Sequence, residues 1–179
     1  MGLLTIKKQI VHKLFWAFLL SASISINCYS QNLVKQFPVF KSGEKITYSA
    51  VYNLGFIWLN AGYVEFNVKK ASFNNQDVYH FYSHGKSVPS YDWLFKVRDY
   101  YQSYAKTDNL APVLFDRNTY EGGYQVHNRF TFDYADSLIY TKTENSDKPY
   151  SEDTLKMIQN VYDVISGVYF IRNIDFDRY

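Results

Sequence analysis

Cysteine is almost missing from this chain. Only Cys28 carries a thiol among 179 residues, so no intramolecular disulfide framework can hold the fold, and burial and backbone hydrogen bonds must do so. Proline and glycine are sparse at 4 and 8 residues, and charged residues make up 20%. Collagen-like, low-complexity and disordered classes are thereby excluded. No Gly-x-x-x-x-Gly-Lys loop, no Gly-x-Gly-x-x-Gly between a strand and a helix, and no Gly-x-Ser-x-Gly elbow occurs. The same sequence shows no internal repeat at solenoid or propeller spacing. The longest apolar run, Leu14 to Ile26, is short for a membrane helix, which needs about 20 residues.

That run identifies the N-terminus instead. Lys7, Lys8 and Lys13 precede it, and Cys28, Tyr29 and Ser30 follow, with small residues at the two positions a signal peptidase reads before a cut after Ser30. Residues 1–30 are expected to be a signal peptide, leaving 31–179 as one β-rich domain. Acylation at Cys28 is the alternative, and Ser25-Ile26-Asn27 in front of it argue against a lipoprotein site. An uncleaved anchor is a further one. Cleavage leaves no transmembrane span and places the domain in the periplasm or at the outer membrane.

Charge of one sign is lacking too. The chain has 19 Lys plus Arg against 17 Asp plus Glu; without the three leader lysines the balance is 16 against 17, a net of −1. A nucleic-acid partner is not expected, since no basic face is present to meet phosphates.

What is abundant is aromatic. Phe, Trp and Tyr form 20% of the chain, including 18 Tyr and 14 Phe, residues that suit pleated surfaces. Their spacing is that of strands. Ile46, Tyr48, Ala50 and Tyr52 alternate with polar residues, Gly55 permits a turn, and Val64, Phe66 and Val68 alternate again after Ala61-Gly62. Val78 to Gly85 reads as a third strand with Tyr79 and Phe81 toward the core and His80, Tyr82 and His84 opposite. Ser87 to Phe95 breaks the alternation, as a loop with one helical turn whose aromatics tuck over the sheet, a candidate lid. Val97 to Lys106 carries bulk on both sides, which implies two covered faces. Val113 to Tyr120 and Tyr124 to Tyr134 form a hairpin around Glu121-Gly122-Gly123, Ser137 to Thr143 is one more strand, and Glu144 to Ser151 is a polar loop.

One helix is expected, from about Val161 to Asn173, capped by Asn160 with Asp163 three residues on. It is apolar around nearly its whole circumference and should therefore be buried by the sheet. Gly167 inside it marks an expected close backbone crossing. The alternation of Asp175 to Tyr179 reads as a strand cut short, as in a fragment of a longer protein. The fold class is thus mainly β: an antiparallel curved sheet or barrel-like meander with one buried C-terminal helix. A membrane β-barrel is disfavoured by that helix and by Lys45, Glu65 and Lys69 on adjacent strands.

Chemistry is harder to locate. His80 and His84 share a strand face but stand about 13 Å apart along it, too far to chelate one ion. Asp92, Asp99, Asp116 and Asp133 fit roles as turn caps or partners of Arg98, Arg117 and Arg129 better than acid and base roles. No cofactor, metal site or catalytic residue is assigned. Tyr101, Tyr104 and Trp93 are the candidate ligand-binding residues: the two tyrosines stand on opposed faces of one strand, the register deciding which meets a ligand, and Trp93 stands in the loop.

Phe40 with Gly43-Glu44 and Tyr48, Gly62, Val97-Arg98-Asp99, and Tyr162-Asp163-Val164-Ile165-Ser166 followed by Tyr169 and Arg172 together resemble the exported bacterial family of domain of unknown function 3108. The resemblance spans most of the mature chain. It implies an envelope protein with a barrel-like antiparallel sheet and one helix, continuing for several strands beyond the helix, and it implies no catalytic residues. The functional expectation is a non-enzymatic binding or structural module for a lipid-like or glycan ligand, in its sharper form a carrier resembling the periplasmic lipoprotein chaperones. The alternatives are an envelope hydrolase using carboxylates such as Asp99 and Asp133, and a protein-interaction scaffold.

Overall fold

The computed structural model describes residues 38–159 and 161–176, all within the unit Leu33–Tyr179. The signal peptide, its cut after Ser30, Cys28 and the cap at Asn160 lie outside the described residues.

Eight strands form one antiparallel sheet in sequence order: β1 (Lys45–Leu54), β2 (Ile57–Phe73), β3 (Gln76–Ser87), β4 (Val97–Lys106), β5 (Pro112–Glu121), β6 (Tyr124–Asp133), β7 (Leu138–Asn145) and β8 (Ser151–Lys156). A helix, α1 (Val164–Arg172), follows. The sheet is curved and unclosed: among the described residues β1 and β8 each pair on one side only. The expected fold class therefore holds as an open meander.

Register assigns the faces. Phe81 on β3 pairs with Val68 on β2 and with Ser103 on β4, and Ser103 pairs with Phe115 on β5, which pairs with Phe130 on β6. These residues and their i±2 neighbours form the inner face, on which α1 rests. The core sits where the helix meets β3 and β4. Phe81 is fully buried, its ring stacked 4.0 Å from that of Tyr169, and Phe40 meets Tyr79, Phe81 and Tyr169 edge-on at 5.1, 5.4 and 5.1 Å. Offset and edge-on rings are the arrangements aromatic quadrupoles favour.

The lead-in segment straps the helix to the sheet. Val39 N donates to Asn173 Oδ1 at 2.8 Å, and Arg172 forks onto Glu44 at 2.7 and 3.1 Å. Gly43 N and Glu44 O complete the strap on Val68 at 2.8 and 3.1 Å. The helix begins at Asp163, three residues later than the cap expected at Asn160. Asp163 Oδ1 accepts from the amides of Ile165 and Ser166 at 2.8 and 2.9 Å, and Ser166 Oγ accepts from Asp163 N at 3.1 Å, which makes a reciprocal capping box.

Several expectations change. The helix buries Ile165, Ser166 and Tyr169, while Val164, Val168 and Ile171 stay exposed, so one stripe and not the whole circumference meets the sheet. Gly167 marks no crossing, for a Cβ there would meet only Tyr162 Cβ at 3.7 Å. Gly62 does: a Cβ would lie 2.6 Å from Lys86 O, in the backbone of β3. It is a strand residue in a β2 that starts at Ile57, not one after a turn, and the register slips by one between Ala50 and Val51.

Strand β8 takes Ser151 from the expected loop and continues through residues for which no element is expected, leaving 146–150 as the connection. Residues 173–176 make no strand beyond a single bridge at Ile174; the rest of that expected strand, 177–179, lies outside the described residues. Strand β4 has one layer over it, not two: its outer Tyr104 is covered by the neighbouring side chains of His80 and Phe73, and Tyr100 is exposed.

Candidate functional site

Two hollows open on the inner face, one at each side of the core. The first lies toward β1–β4 and the loop 88–96. Its volume is about 550 Å³, and its lining includes Tyr52, Leu59, Val64, Leu94, Phe95 and Val97. Gly85 and Gly62 lie on the floor, and at Gly85 the missing side chain leaves room. The second lies between α1 and β5–β8, about 430 Å³, with Phe115, Phe130, Phe132, Ile139 and Leu155 opposite Val164. Both fall in the range of about 300–1,000 Å³ that small-molecule sites occupy.

The loop over the first hollow is fixed at both ends. A 3-10 turn at Pro89–Tyr91 starts it. Ser87 Oγ donates to Asp92 Oδ1 at 2.5 Å, Arg98 forks onto the same carboxylate at 2.5 and 3.2 Å, and Val97 N donates to Ser87 Oγ at 3.0 Å. The Arg98 guanidinium, and after it the Ser87 hydroxyl, hold the Asp92 carboxyl below its ordinary range. At the far end Gly122 N donates to Lys96 O at 2.9 Å, and the Phe95 ring fills the place where a Cβ on Gly122 would stand. Gly122 has φ +59°, which also disfavours a side chain there. The loop's apolar tip is outward: Trp93 is 81% exposed and Leu94 70%. Tyr52 and Leu59, on either side of the β1–β2 turn, line the same hollow, and Phe56 in the turn and Trp58 on β2 are exposed.

Among the charged groups that line the hollows are Asp99, Asp163 and Arg117. Asp99 lines the first hollow; burial, and then the charge of Glu121, raise its carboxyl above the ordinary value, and its Oδ1 is buried without a hydrogen-bond partner. Asp163 lines the second but is spent on structure: Oδ1 caps the helix, and Oδ2 accepts from Ser103 Oγ at 2.6 Å and Ser166 Oγ at 3.0 Å. Arg117 lines the second hollow. It stands inward on β5, opposite Tyr101 on β4 and Asn128 on β6, with its Cζ 5.8 Å from the Tyr101 ring centroid.

The structure separates the three candidate residues. Tyr101 is inward, lines the second hollow and is half-buried, with burial raising its hydroxyl pKa. Tyr104, three positions on, faces outward, stacked 4.3 Å from His80. Trp93 lies on the exposed loop and lines neither hollow. His80 bonds Gln102 Oε1 through Nε2 at 3.0 Å, and burial lowers its pKa.

Asp99 and Asp133 do not form a pair. Asp99 aligns with Thr119 and Val126 across the sheet, so Asp133 is seven residues further along β6, about 23 Å at 3.3 Å per residue, and on the other face. Carboxylate pairs that act together on one bond stand about 5–10 Å apart. Asp133 instead accepts from the amides of Ala135 and Asp136 at 3.0 and 3.2 Å, as a turn cap.

Sequence reasoning missed Arg117 as a site residue by grouping it with the arginines that neutralise carboxylates. Arg98 does that for Asp92, and Arg129 approaches Asp116 at 3.6 Å. Arg117 makes no ion pair among the described residues. The signal was in the hairpin, whose alternation places Arg117 on the same face as Phe115 and Phe130.

An open antiparallel meander with one helix on its inner face and apolar hollows beside it is the class of protein that fold and geometry define. Residues 47–178 match the family described as "Protein of unknown function (DUF3108)", and the chain belongs to it. No curated protein and no solved structure matches the chain. No helix among the described residues is long and apolar enough to cross a membrane.

Proposed function

We propose that this protein is an exported binding module of the bacterial cell envelope, non-enzymatic, which holds a lipid-like ligand against the inner face of its open sheet. The observation that carries the reading is the hollow of about 550 Å³ between Tyr52, Leu59, Val64 and the loop residues Leu94 and Phe95. An apolar lining of this kind rewards the burial of hydrocarbon by about 25 cal/mol per Å². A glycan in the same place would leave hydroxyls without partners, at a cost of roughly 1–3 kcal/mol each, so the lipid-like occupant is favoured over the sugar. The basic and apolar leader supports export to the periplasm or outer membrane.

The test is a titration of the mature domain with the neutral fluorescent amphiphile 1-N-phenylnaphthylamine. A Cβ on Gly85 would make only ordinary contacts, with Asp99 Cβ at 3.5 Å and Val64 Cγ2 at 3.9 Å, so Gly85→Val fills the hollow without breaking the sheet. Saturable binding by the wild type, lost in Gly85→Val at unchanged melting temperature, is the expected result. A wild type that binds no probe, or a variant that binds equally well, overturns the reading.

A further inference from the structure

The second hollow holds a charge that the fold does not use. Arg117 brings five N–H donors to a surface on which Phe115, Phe130, Phe132, Ile139 and Leu155 supply the apolar area. Its contacts are one long hydrogen bond, from Nη2 to Thr119 Oγ1 at 3.4 Å, and the Tyr101 ring. Its Nε is buried with no partner. The carboxylate across the hollow, Asp163, is saturated by the helix amides and two hydroxyls. A half-buried guanidinium is normally paired with an anion from the protein. Here no carboxylate of the described residues comes within ion-pair distance of it; Asp99, diagonal to it on β4, feels its charge without contact.

We propose that Arg117 is the anchor for the anionic head group, carboxylate or phosphate, of a single-chain amphiphile whose hydrocarbon lies along Phe115, Phe130, Phe132, Ile139 and Leu155. The proposal rests on the reading of the inner face as a lipid-like binding surface and adds the charge of the ligand. A planar guanidinium grips either oxyanion through two parallel N–H bonds, which an ammonium cannot do. Asn128, beside Arg117 on β6, borders the same hollow and offers a further N–H donor to the head group. The open edge at Leu155 and Val164, both exposed, gives the chain a way in.

The experiment is isothermal titration of the mature domain with oleate, with oleyl alcohol, and with inorganic phosphate as competitor, each below its aggregation threshold. The wild type should bind oleate about 10- to 100-fold more tightly than oleyl alcohol, the range a charged hydrogen-bonded group contributes. Arg117→Met should erase that difference, and Arg117→Lys should restore only part of it. Equal binding of oleate and oleyl alcohol to the wild type overturns the head-group proposal and leaves the apolar-ligand reading standing; because this arm uses no variant, it decides the matter even where Arg117→Met fails to fold. Binding of neither probe overturns both. Displacement of oleate by phosphate at the same concentration shows a free-anion site and overturns the amphiphile.

Discussion

Replacing Phe40 by Ala removes the ring on which lead-in, sheet and helix converge. Phe40 is 3% exposed and touches Tyr79, Phe81 and Tyr169 edge-on, with centroids between 5.1 and 5.4 Å. Truncating a buried Phe to Ala costs about 3–5 kcal/mol, the transfer of the ring plus the cavity it leaves. For a domain of this size about 1 kcal/mol moves the melting temperature by about 2–4 °C, so the expected drop is about 6–20 °C. Differential scanning calorimetry reads it directly. Phe40→Leu, which keeps most of the volume, should cost under about 1.5 kcal/mol. The strap gives a second readout: with Phe40 gone, the Arg172–Glu44 fork and the Val39–Asn173 bond lose the packing that holds their segment. Amide exchange in α1 should then quicken before that of β3. A drop below about 2 °C for Phe40→Ala would refute the packing argument, since it would mean that 38–44 does not cover the core.

Three further outcomes follow from single groups. Gly62→Ala should destabilise by about 1–3 kcal/mol, because its Cβ would press on the Lys86 carbonyl at 2.6 Å, whereas Gly85→Ala should be tolerated; equal urea midpoints would contradict the close approach. Tyr169→Phe should be neutral or stabilising by about 1 kcal/mol, since the Tyr169 hydroxyl is buried without a partner and its pKa is pushed up to about 12, chiefly by burial; a clear loss in thermal melts would reveal a bond at that oxygen. Burial and Glu121 raise the Asp99 carboxyl above its usual 3.8, so the stability it contributes is complete below the unfolded value and is lost as pH rises through the folded one. Asp99→Asn should therefore gain in urea midpoint over wild type at pH 7, by a margin that shrinks toward pH 3.8, and a margin constant with pH would refute the assignment.

The legible parts of the fold were those written in period two. Tyr79 and Phe81 against His80 and Tyr82 put β3 on the right faces, and Glu121-Gly122-Gly123 set the β5–β6 hairpin. β8 was illegible because Ser151–Lys156 carries one large apolar residue and every position is exposed; its strand state comes from pairing with β7 alone. Asn160 and Asp163 are equivalent as sequence caps, and tertiary contact decides for Asp163, whose Oδ2 also meets Ser103 on β4. The helix misled because Val164, Val168 and Ile171 are as apolar as Ile165 while remaining exposed. The residues that carried the family resemblance prove to touch across long sequence distances: Phe40 meets Tyr169, Glu44 meets Arg172, and Gly62 meets β3. At the site, the odd spacing of Tyr101 and Tyr104 put them on opposite faces, but which of the two faces inward was not assignable before the register was known.

The central claim, a lipid-like ligand on the inner face, is tested most directly by native mass spectrometry of the domain from Gln31 onward, exported into a bacterial periplasm. The expected result is a bound mass of several hundred daltons that leaves on denaturation, is identified as a lipid-like amphiphile, and is missing either from Gly85→Val, which fills the first hollow, or from Arg117→Met, which removes the anchor of the second, prepared in parallel. A clean apo mass for the wild type, or a bound mass that both variants retain, would contradict it.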